Sequence, residues 1–261
     1  MIQIQAIPAF QDNYIWLLSE DSSQHCLVVD PGDASVVEET LAKLDLELTG
    51  ILVTHHHWDH TNGIKALTKN RNIPVYGPDN AEIDGITHPL NETDTLTVLH
   101  TEFEIFKTPG HTLDHIVYYS CPEQGDPILF CGDTLFSAGC GRLFEGTAEQ
   151  MQRSFNKLRA LPENTRVYCT HEYTLSNLAF AQAVEPENHS IRDYRNRVTQ
   201  LRQQDRPSLP STIELELTIN PFMRTDQNSV ITAVKEHAPH TALFSDAEVF
   251  GALRQWKDHF Q

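Results

Sequence analysis

Short apolar runs alternate along the first two thirds of the chain with segments whose apolar residues recur at helical spacing. The β-branched runs "CLVVD" (26–30) and "GILVT" (50–54) predict buried strands that lead into turns. Between them, Val37, Leu41 and Leu44 have the spacing of one face of a helix. Strands that alternate with helices predict a mixed α/β fold for this part of the chain.

The pattern continues through three further strands and one well-marked helix. Thr147 and Gln150 have the spacing of a capping box, and Met151, Phe155 and Leu158 then share one helical face. Three apolar runs predict strands that end in loops, and the third is the last strand that the pattern predicts: "TEFEIFKTPGH" (101–111), "PILFCGDT" (127–134) and "TRVYCTHEYT" (165–174).

The character of the chain changes after these strands. Residues 174–208 are helix-like and polar, and "PSLPSTIELELTINPF" (207–222), which contains three of the chain's prolines, is expected to be extended before two more helical patterns follow. We therefore expect a domain boundary near Tyr173, which divides the chain into domains at 1–172 and 173–261.

The last helical pattern has a defined start and two faces. Ser245 and Glu248 have capping-box spacing, so a helix is expected to begin there. Arg254 and Lys257 lie three residues apart and therefore share a flank of that helix. An apolar stripe beside this flank is expected to pack inward: Val249, Leu253, Trp256 and Phe260.

The densest group of candidate ligands is "THHHWDHTNG" (54–63), which follows a predicted buried strand. We expect these histidines at the end of that strand, where side chains alternate between faces, so His55 and His57 lie on the same face. Asp59 and His60 follow in the turn before the next helix. Imidazole and carboxylate groups are the ligands of zinc, iron and manganese. Because His-x-His-x-Asp-His places four such groups close together, it is a much more specific signal of a metal site than a lone His-x-His.

Three other predicted strands end in similar donors, His111, Asp133 and His171. Seven donors exceed the four ligands usual for one zinc, but they divide evenly between two metals if Asp133 bridges. Two neighbouring metals form a hydrolytic centre, in which one polarises the electrophile and a water between them loses a proton near neutral pH. The donors therefore predict a binuclear hydrolase.

Charge and composition exclude several other classes. The formal net charge of -17 argues against a nucleic-acid partner, because phosphate binding needs a basic surface. No apolar run reaches the ~20 residues of a membrane span, and the first residues do not have the pattern of a signal peptide. Five scattered cysteines without a CxxC pair favour a reducing compartment. We expect a cytoplasmic protein that acts as a monomer.

These motifs resemble those of the metallo-β-lactamase superfamily and, within it, the hydroxyacylglutathione hydrolases (glyoxalase II). The resemblance covers essentially the whole chain and implies an αββα sandwich followed by a small C-terminal helical domain. It also implies that Asp133 bridges two metals, that Asp59 and Asp133 are catalytic together with a hydroxide between the metals, and that Asp30 lies just outside the ligands. The other implied ligands are His55, His57 and His111 for one metal, and Asp59, His60 and His171 for the second.

The same resemblance implies the substrate contacts. "GCGRLFEGT" (139–147) is similar to the substrate loop of the family, with Arg142 at its basic position. Tyr173 stands where the family's tyrosine contacts glutathione, and Arg254 and Lys257 match glutathione-binding positions of its terminal helix. In an acidic chain, an anionic substrate needs such a local cationic patch.

Three positions depart from the family pattern. Asn62 replaces the first of two glycines, and because asparagine tolerates positive φ we expect the turn to persist. Asp114 stands where glycine is common and adds a charge near a metal loop. Phe144, a further expected substrate contact, stands where some members have tyrosine, so it lacks one hydroxyl. These departures concern substrate affinity more than the chemistry.

The resemblance implies metal-dependent hydrolysis of S-(2-hydroxyacyl)glutathione thioesters, the second step of methylglyoxal detoxification. The expected cofactors are two divalent ions, zinc in the first place, with iron or manganese as alternatives. Two other functions stay open, because one fold hosts many activities. One is another glutathione-linked enzyme of this fold, such as a persulfide dioxygenase. The other is a metal-binding scaffold without catalytic activity.

Overall fold

The protein is described by a computed structural model that divides the chain into two compact units. The first unit contains residues 1–107 and 114–132, and the second contains 108–113 and 133–261. The domain boundary expected near Tyr173 stays a prediction. The structure describes nearly the whole chain: residues 2–21, 23–239 and 243–260.

The first unit is built on two groups of paired strands. A sheet of six strands follows the order of the chain, with antiparallel pairing among the first three and parallel pairing from the third to the sixth. Its strands are β1 (Ile2–Ala9), β2 (Asn13–Glu20), β3 (His25–Val29), β4 (Glu47–Leu52), β5 (Val75–Pro78) and β6 (His88–Leu90). Four further strands pair antiparallel in chain order: β7 (Thr95–Val98), β8 (Thr101–Lys107), β9 (Ile116–Ser120) and β10 (Ile128–Gly132).

Three helices connect the strands of the six-stranded sheet, namely α1 (Ala34–Leu44), α2 (Trp58–Thr61) and α3 (Ile64–Thr68). Val37 and Leu41 of α1 are buried in the core of this unit, as their spacing predicts. Leu44, which was expected to complete that face, is 40% exposed. The helix ends at this residue, so its side chain lies beyond the packed turn.

The strand before the histidine-rich run ends earlier than the sequence pattern suggests. β4 stops at Leu52, so His55 and His57 lie in the following loop, and the expectation that they share a strand face is wrong. The cause is that a side chain, and not the backbone of a neighbouring strand, accepts the next hydrogen bond. The backbone N–H of Thr54 donates to the carboxylate of Asp30 at 2.8 Å. The ladder therefore ends before the histidines.

The second unit is largely helical. It has two pairs of short antiparallel strands: β11 (Leu135–Phe136) with β12 (Gly139–Cys140), and β13 (Arg166–Cys169) with β14 (Ser211–Thr212). Its helices are α4 (Ala148–Arg159), α5 (Thr174–Val184), α6 (His189–Arg202), α7 (Ile213–Ile219), α8 (Asn228–His237) and α9 (Asp246–Asp258), with a 3-10 turn at Pro221–Met223. The predicted mixed α/β fold with a helical C-terminal part is confirmed. In the described part of the chain, no helix is long and apolar enough to cross a membrane.

Two expectations about the C-terminal part are wrong. Within the segment expected to be extended, Ile213–Ile219 forms helix α7, and β14 follows β13, so β13 is not the last strand. The flanking prolines favour an extended segment, but local capping favours a helix between them. The Thr212 side chain accepts from the backbone N–H of Leu215 at 3.2 Å, and Glu214 and Glu216 lie in the first turn.

The other helix starts follow the sequence signals. Thr147 and Gln150 form the predicted capping box at the start of α4. Ser245 caps α9, and its side chain accepts from the backbone N–H of Glu248. The apolar stripe of α9 is buried at Val249 and Leu253 but only half-buried at Trp256 and Phe260. Phe260 lies beyond the end of the helix.

Candidate metal centre and substrate pocket

Four of the seven predicted metal ligands lie in the first unit, in the loop after β4 and in helix α2. Nε2 of His55 lies 3.1 Å from Nδ1 of His57. Oδ2 of Asp59 lies 3.5 Å from Nε2 of His60. The rings of His55 and His60 are both buried, with centroids 4.1 Å apart. The first unit therefore brings all four donors into one cluster.

The other three predicted ligands lie together in the second unit. A single oxygen, Oδ2 of Asp133, lies 3.4 Å from Nε2 of His111 and 3.3 Å from Nε2 of His171. All three side chains are buried. One carboxylate oxygen thus lies close to two imidazole nitrogens that come from different segments of the unit.

The separations between these donor atoms fit a metal ion. Zinc binds imidazole at 2.0–2.1 Å, so two ligands of a tetrahedral ion lie roughly 3.4 Å apart. A direct charge-assisted N–H···O⁻ bond would instead be about 2.7–2.9 Å long. The three imidazole–carboxylate separations of 3.3, 3.4 and 3.5 Å match the first case. The His/Asp clusters are therefore suited to a divalent metal.

Asp30 joins two of the histidines from outside the donor cluster. Its Oδ2 lies 3.0 Å from Nδ1 of His60 and accepts from the Thr54 hydroxyl at 2.7 Å. The same hydroxyl oxygen lies 3.0 Å from Nδ1 of His55. Since Nδ1 of both rings lies against this network, Nε2 is the nitrogen of each ring that would face a metal. Asp30 thus contacts two candidate ligands, and its role just outside a metal site stays a prediction from the resemblance.

Asp30→Asn is expected to lower metal affinity and activity by about 10- to 100-fold. The Asp30 carboxylate accepts hydrogen bonds from the N–H and hydroxyl of Thr54 and lies against His60, whereas an amide has only one acceptor oxygen. The NH₂ group of the new asparagine would therefore face a group that is itself a hydrogen-bond donor. Metal content after dialysis against a weak chelator measures the effect, with the exposed Asp84→Asn as control. Unchanged affinity in Asp30→Asn would contradict this role.

Sequence reasoning missed three residues that contact the donors of the first unit. Nδ2 of the buried Asn13 donates to Oδ2 of Asp59 at 2.9 Å. The ring of His115 stacks on that of His55 with centroids 4.8 Å apart. Thr54 bonds Asp30, as described above. Thr54 begins the histidine-rich run and His115 lies four residues after His111, which is a weak signal, whereas nothing in the sequence around Asn13 indicates its contact.

Two of the three departures from the family pattern lie in this unit. Asn62 has φ = -60°, so the positive φ that motivated the expectation does not occur at this turn. Oδ2 of Asp114 accepts from Nδ2 of Asn80 at 2.8 Å, and its Oδ1 lies 3.0 Å from Nδ1 of His56. Asp114 is therefore bonded within the first unit, to the histidine of the motif that is not a predicted ligand.

The second unit contains a pocket of about 470 Å³ that brings the remaining predicted residues together. A volume of this size falls within the range of small-molecule sites. Two predicted metal ligands, His111 and Asp133, lie on its wall. The wall also includes all five predicted substrate contacts: Arg142, Phe144, Tyr173, Arg254 and Lys257.

Arg254 is not the solvated surface residue that a helix flank would suggest. Its side chain is 7% exposed, and Nη1 donates to the backbone carbonyl of Cys140 at 2.9 Å. Nη2 lies 3.0 Å from Oδ1 of Asp258, and the guanidinium carbon lies 5.5 Å from the ring centroid of Phe222. Packing and hydrogen bonding therefore hold this cation in the pocket wall.

Lys257 is half-buried on the same wall. Its Nζ donates to the carbonyl of Ser176 at 3.4 Å and lies 5.5 Å from the ring centroid of Phe180. Burial lowers the pKa of Lys257, and the nearby charge of Arg254 lowers it further. The ammonium therefore gains more from an anionic ligand than a fully solvated one would.

The aromatic contacts are arranged around the histidine ligands of this unit. The Tyr173 ring stacks on His171, with centroids 4.7 Å apart and planes 1° apart. Phe144 is 62% exposed, and its ring meets His111 edge-on at 5.3 Å. Nδ1 of His111 donates to the backbone carbonyl of Arg142 at 2.9 Å, which leaves Nε2 for a metal. The predicted substrate loop thus also orients a candidate metal ligand.

Residues 10–171 match the family model of the metallo-β-lactamase superfamily. The chain therefore belongs to this superfamily, and its fold resembles the crystal structure of the B3 metallo-β-lactamase BLEG-1. That similarity has a TM-score of 0.62 and 25% sequence identity, and it covers 85% of this chain and 99% of the other.

Residues 172–260 match the model of the hydroxyacylglutathione hydrolase C-terminus. The chain is 54% identical over 261 residues to the hydroxyacylglutathione hydrolase of Pseudomonas paraeruginosa, with all of both chains covered. It is 53% identical over 262 residues to that of Pseudoalteromonas translucida, again with complete coverage. Within the superfamily, the chain belongs to the hydroxyacylglutathione hydrolase family, as the resemblance in its motifs implied.

Proposed function

We infer that the protein hydrolyses S-(2-hydroxyacyl)glutathione thioesters, converting S-D-lactoylglutathione and water to D-lactate and glutathione. This is the second step of methylglyoxal detoxification. The observation that supports it best is the pocket of the second unit, where His111 and Asp133 share a wall with Arg142, Arg254 and Lys257. The proposed metal ligands and the cations proposed for an anionic substrate thus share one cavity. The family membership favours this hydrolase over a persulfide dioxygenase or a scaffold without activity.

We propose that the seven candidate ligands would hold two divalent ions, zinc in the first place, with Asp133 shared between them. When bound, these ions polarise the thioester carbonyl and lower the pKa of a water to near neutrality. Asp59 and Asp133 are then the catalytic carboxylates. The proposed ligands of one ion are His55, His57 and His111, and those of the other are Asp59, His60 and His171.

The protein's own groups bind and orient the substrate. Arg254 and Lys257 hold the carboxylates of glutathione, while Arg142, Phe144 and Tyr173 contact the rest of the tripeptide. Glutathione leaves as a thiolate, and because the pKa of a thiol is about 8.5 this group needs little protonation.

No cysteine of the pocket acts as the nucleophile in this scheme. Cys140 lines the pocket, but burial raises the pKa of its thiol to about 11, even though Arg254 lies close to it. A thiol with such a pKa is protonated at neutral pH, and the thiolate is the nucleophilic form.

We propose that residues 173–261 form a domain that contributes to glutathione binding. The matched C-terminal family model, at 172–260, supports this division. We also propose that the protein is a cytoplasmic monomer. All five cysteines lie in the described part of the chain, and none of them forms a disulfide there, which suits a reducing compartment.

The purified protein loaded with zinc is expected to hydrolyse S-D-lactoylglutathione and to lose this activity when a chelator removes the metal, because the ions supply the polarisation. Absorbance of the thioester measures the rate, and zinc, iron and manganese are returned separately to identify the ions that restore it. Oxygen consumption with glutathione persulfide is measured in parallel. Persulfide oxidation without thioester hydrolysis would overturn the proposal, and loss of neither activity on chelation would contradict the metal centre.

A further inference from the structure

The pocket of the second unit contains a carboxylate, that of Asp258, to which the proposed function assigns no role. Oδ1 of Asp258 lies 3.0 Å from Nη2 of Arg254 and 3.5 Å from Nε of Arg142. Its side chain lines the pocket and is 35% exposed. A single carboxylate oxygen therefore joins two of the three cations that we propose for glutathione.

Arg254 depends on few partners for its orientation. Nη1 donates to the Cys140 carbonyl and Nη2 pairs with Asp258, so two acceptors on different segments define the guanidinium plane. Its Nε is buried and has no hydrogen-bond partner among the described residues. The guanidinium thus retains a donor after both contacts are made. If the pairing with Asp258 were lost, only the Cys140 carbonyl would remain of the two acceptors that orient the guanidinium.

The three cations also repel one another across the pocket. Arg254 and Arg142 each lower the pKa of Lys257, in addition to the larger effect of burial, whereas Asp258 and Cys140 act in the opposite direction. The other contacts of the ammonium are neutral, namely the Ser176 carbonyl and the Phe180 and Phe260 rings. Asp258 is therefore the anionic side chain that offsets the crowding of positive charge.

We propose that Asp258 is a positioning residue for glutathione recognition, which holds Arg254 and Arg142 in the orientation that receives the carboxylates of the tripeptide. This inference rests on the proposed assignment of Arg142, Arg254 and Lys257 as glutathione contacts. Asp258 touches the cations and not the reacting thioester, so it acts on binding. A carboxylate that merely competed with the substrate would have the opposite effect, since its removal would tighten binding.

The substitution Asp258→Asn keeps the shape of the side chain and removes its charge. KM for S-D-lactoylglutathione is expected to rise about tenfold with kcat within about twofold, because contacts far from the reacting bond act on ground state and transition state alike. Metal content is expected to be unchanged. Asp258→Glu, which keeps the charge, should recover part of the affinity. The matched control is Asp193→Asn, an exposed aspartate on α6 of the same unit.

Two measurements separate positioning from a structural role. The lactoyl thioester of N-acetylcysteamine, which lacks the glutathione carboxylates, should have the same kinetic constants with wild type and Asp258→Asn. In the background of Arg142→Gln, the effect of Asp258→Asn should shrink, because residues that act through one another are not additive. Equal loss with both thioesters, or full additivity with Arg142→Gln, would overturn the proposal.

The pH dependence of KM provides an independent signature. Lys257 binds an anion in its charged form, which exists below its pKa, so affinity is lost as the pH rises through that pKa. Without Asp258 the pKa of Lys257 falls further, and the alkaline rise in KM should begin at a lower pH in Asp258→Asn than in wild type. Coincident profiles would contradict this effect.

Binding of glutathione itself, measured by calorimetry, tests the inference apart from turnover. Asp258→Asn should bind glutathione about tenfold more weakly than wild type, as expected for loss of a contact that orients the cations. If wild type does not hydrolyse S-D-lactoylglutathione, the proposed function fails, but this comparison still decides the role of Asp258. Unchanged or tighter binding by the variant overturns that role alone.

Discussion

Asp133→Ala is expected to lose both metal ions and to lower kcat/KM by roughly 1000-fold or more. The reason is that one carboxylate oxygen lies close to both His111 and His171, which we assign to different ions. Metal polarisation is worth several kcal/mol, and each 1.36 kcal/mol corresponds to a factor of ten in rate. The loss should therefore exceed that of any substitution outside the ligands.

Metal analysis of the purified variants measures this effect directly. Asp59→Ala is the matched control, because Asp59 is assigned to one ion only and this variant should retain about one ion per chain. Circular dichroism of each variant checks that the fold is intact. Two tightly bound ions in Asp133→Ala would contradict the bridging assignment, and equal losses in both variants would mean that the two sites do not form independently.

The double variant Arg254→Gln/Lys257→Met is expected to raise KM for S-D-lactoylglutathione, with a loss of about 100-fold or more in kcat/KM. Each charge-assisted contact that is lost costs about 1.5–3 kcal/mol. The effect on kcat should be much smaller, since the contacts are distant from the thioester. These replacements keep much of the side-chain volume, which matters because Arg254 is buried and packs over Phe222.

Steady-state kinetics at low and high salt complete this test. Added salt should weaken substrate binding by wild type more than by the double variant, since screening acts on the charges that were removed. Lys235→Met, an exposed lysine on α8 of the same unit, is the control for a change in net charge. Metal content should be unchanged in all three proteins. An unchanged KM in the double variant would show that glutathione is recognised elsewhere.

The sequence alone determined those features of this protein that depend on residues close to one another along the chain. The capping residues Thr147 and Ser245 mark true helix starts, because a cap bonds the backbone only a few residues further on. The mixed α/β fold and the seven candidate metal ligands follow from apolar spacing and from donor residues at the ends of strands. The resemblance to a known family added the substrate loop and the cationic positions of the last helix.

Local pattern was a poor guide where two signals conflicted. The sequence pattern predicts an extended segment around "IELELTI", yet the Thr212 cap and the burial of Ile213 and Ile219 favour a helix there. Similarly, β4 ends at Leu52 because the side chain of Asp30, distant in sequence, binds the backbone that would otherwise continue the strand. Neither outcome follows from residue spacing.

Only the tertiary structure decided which polar residues contact the candidate metal ligands and which ones hold the side chains of the substrate pocket. Asn13 reaches Asp59 across 46 positions of sequence, and Arg254 reaches the Cys140 carbonyl across 114. Asp258 follows Lys257 directly, but its pairing with Arg142 depends on how the last helix packs against the substrate loop. Hydrogen bonds between distant segments form only after the core has brought those segments together, so no periodicity or motif in the sequence predicts them.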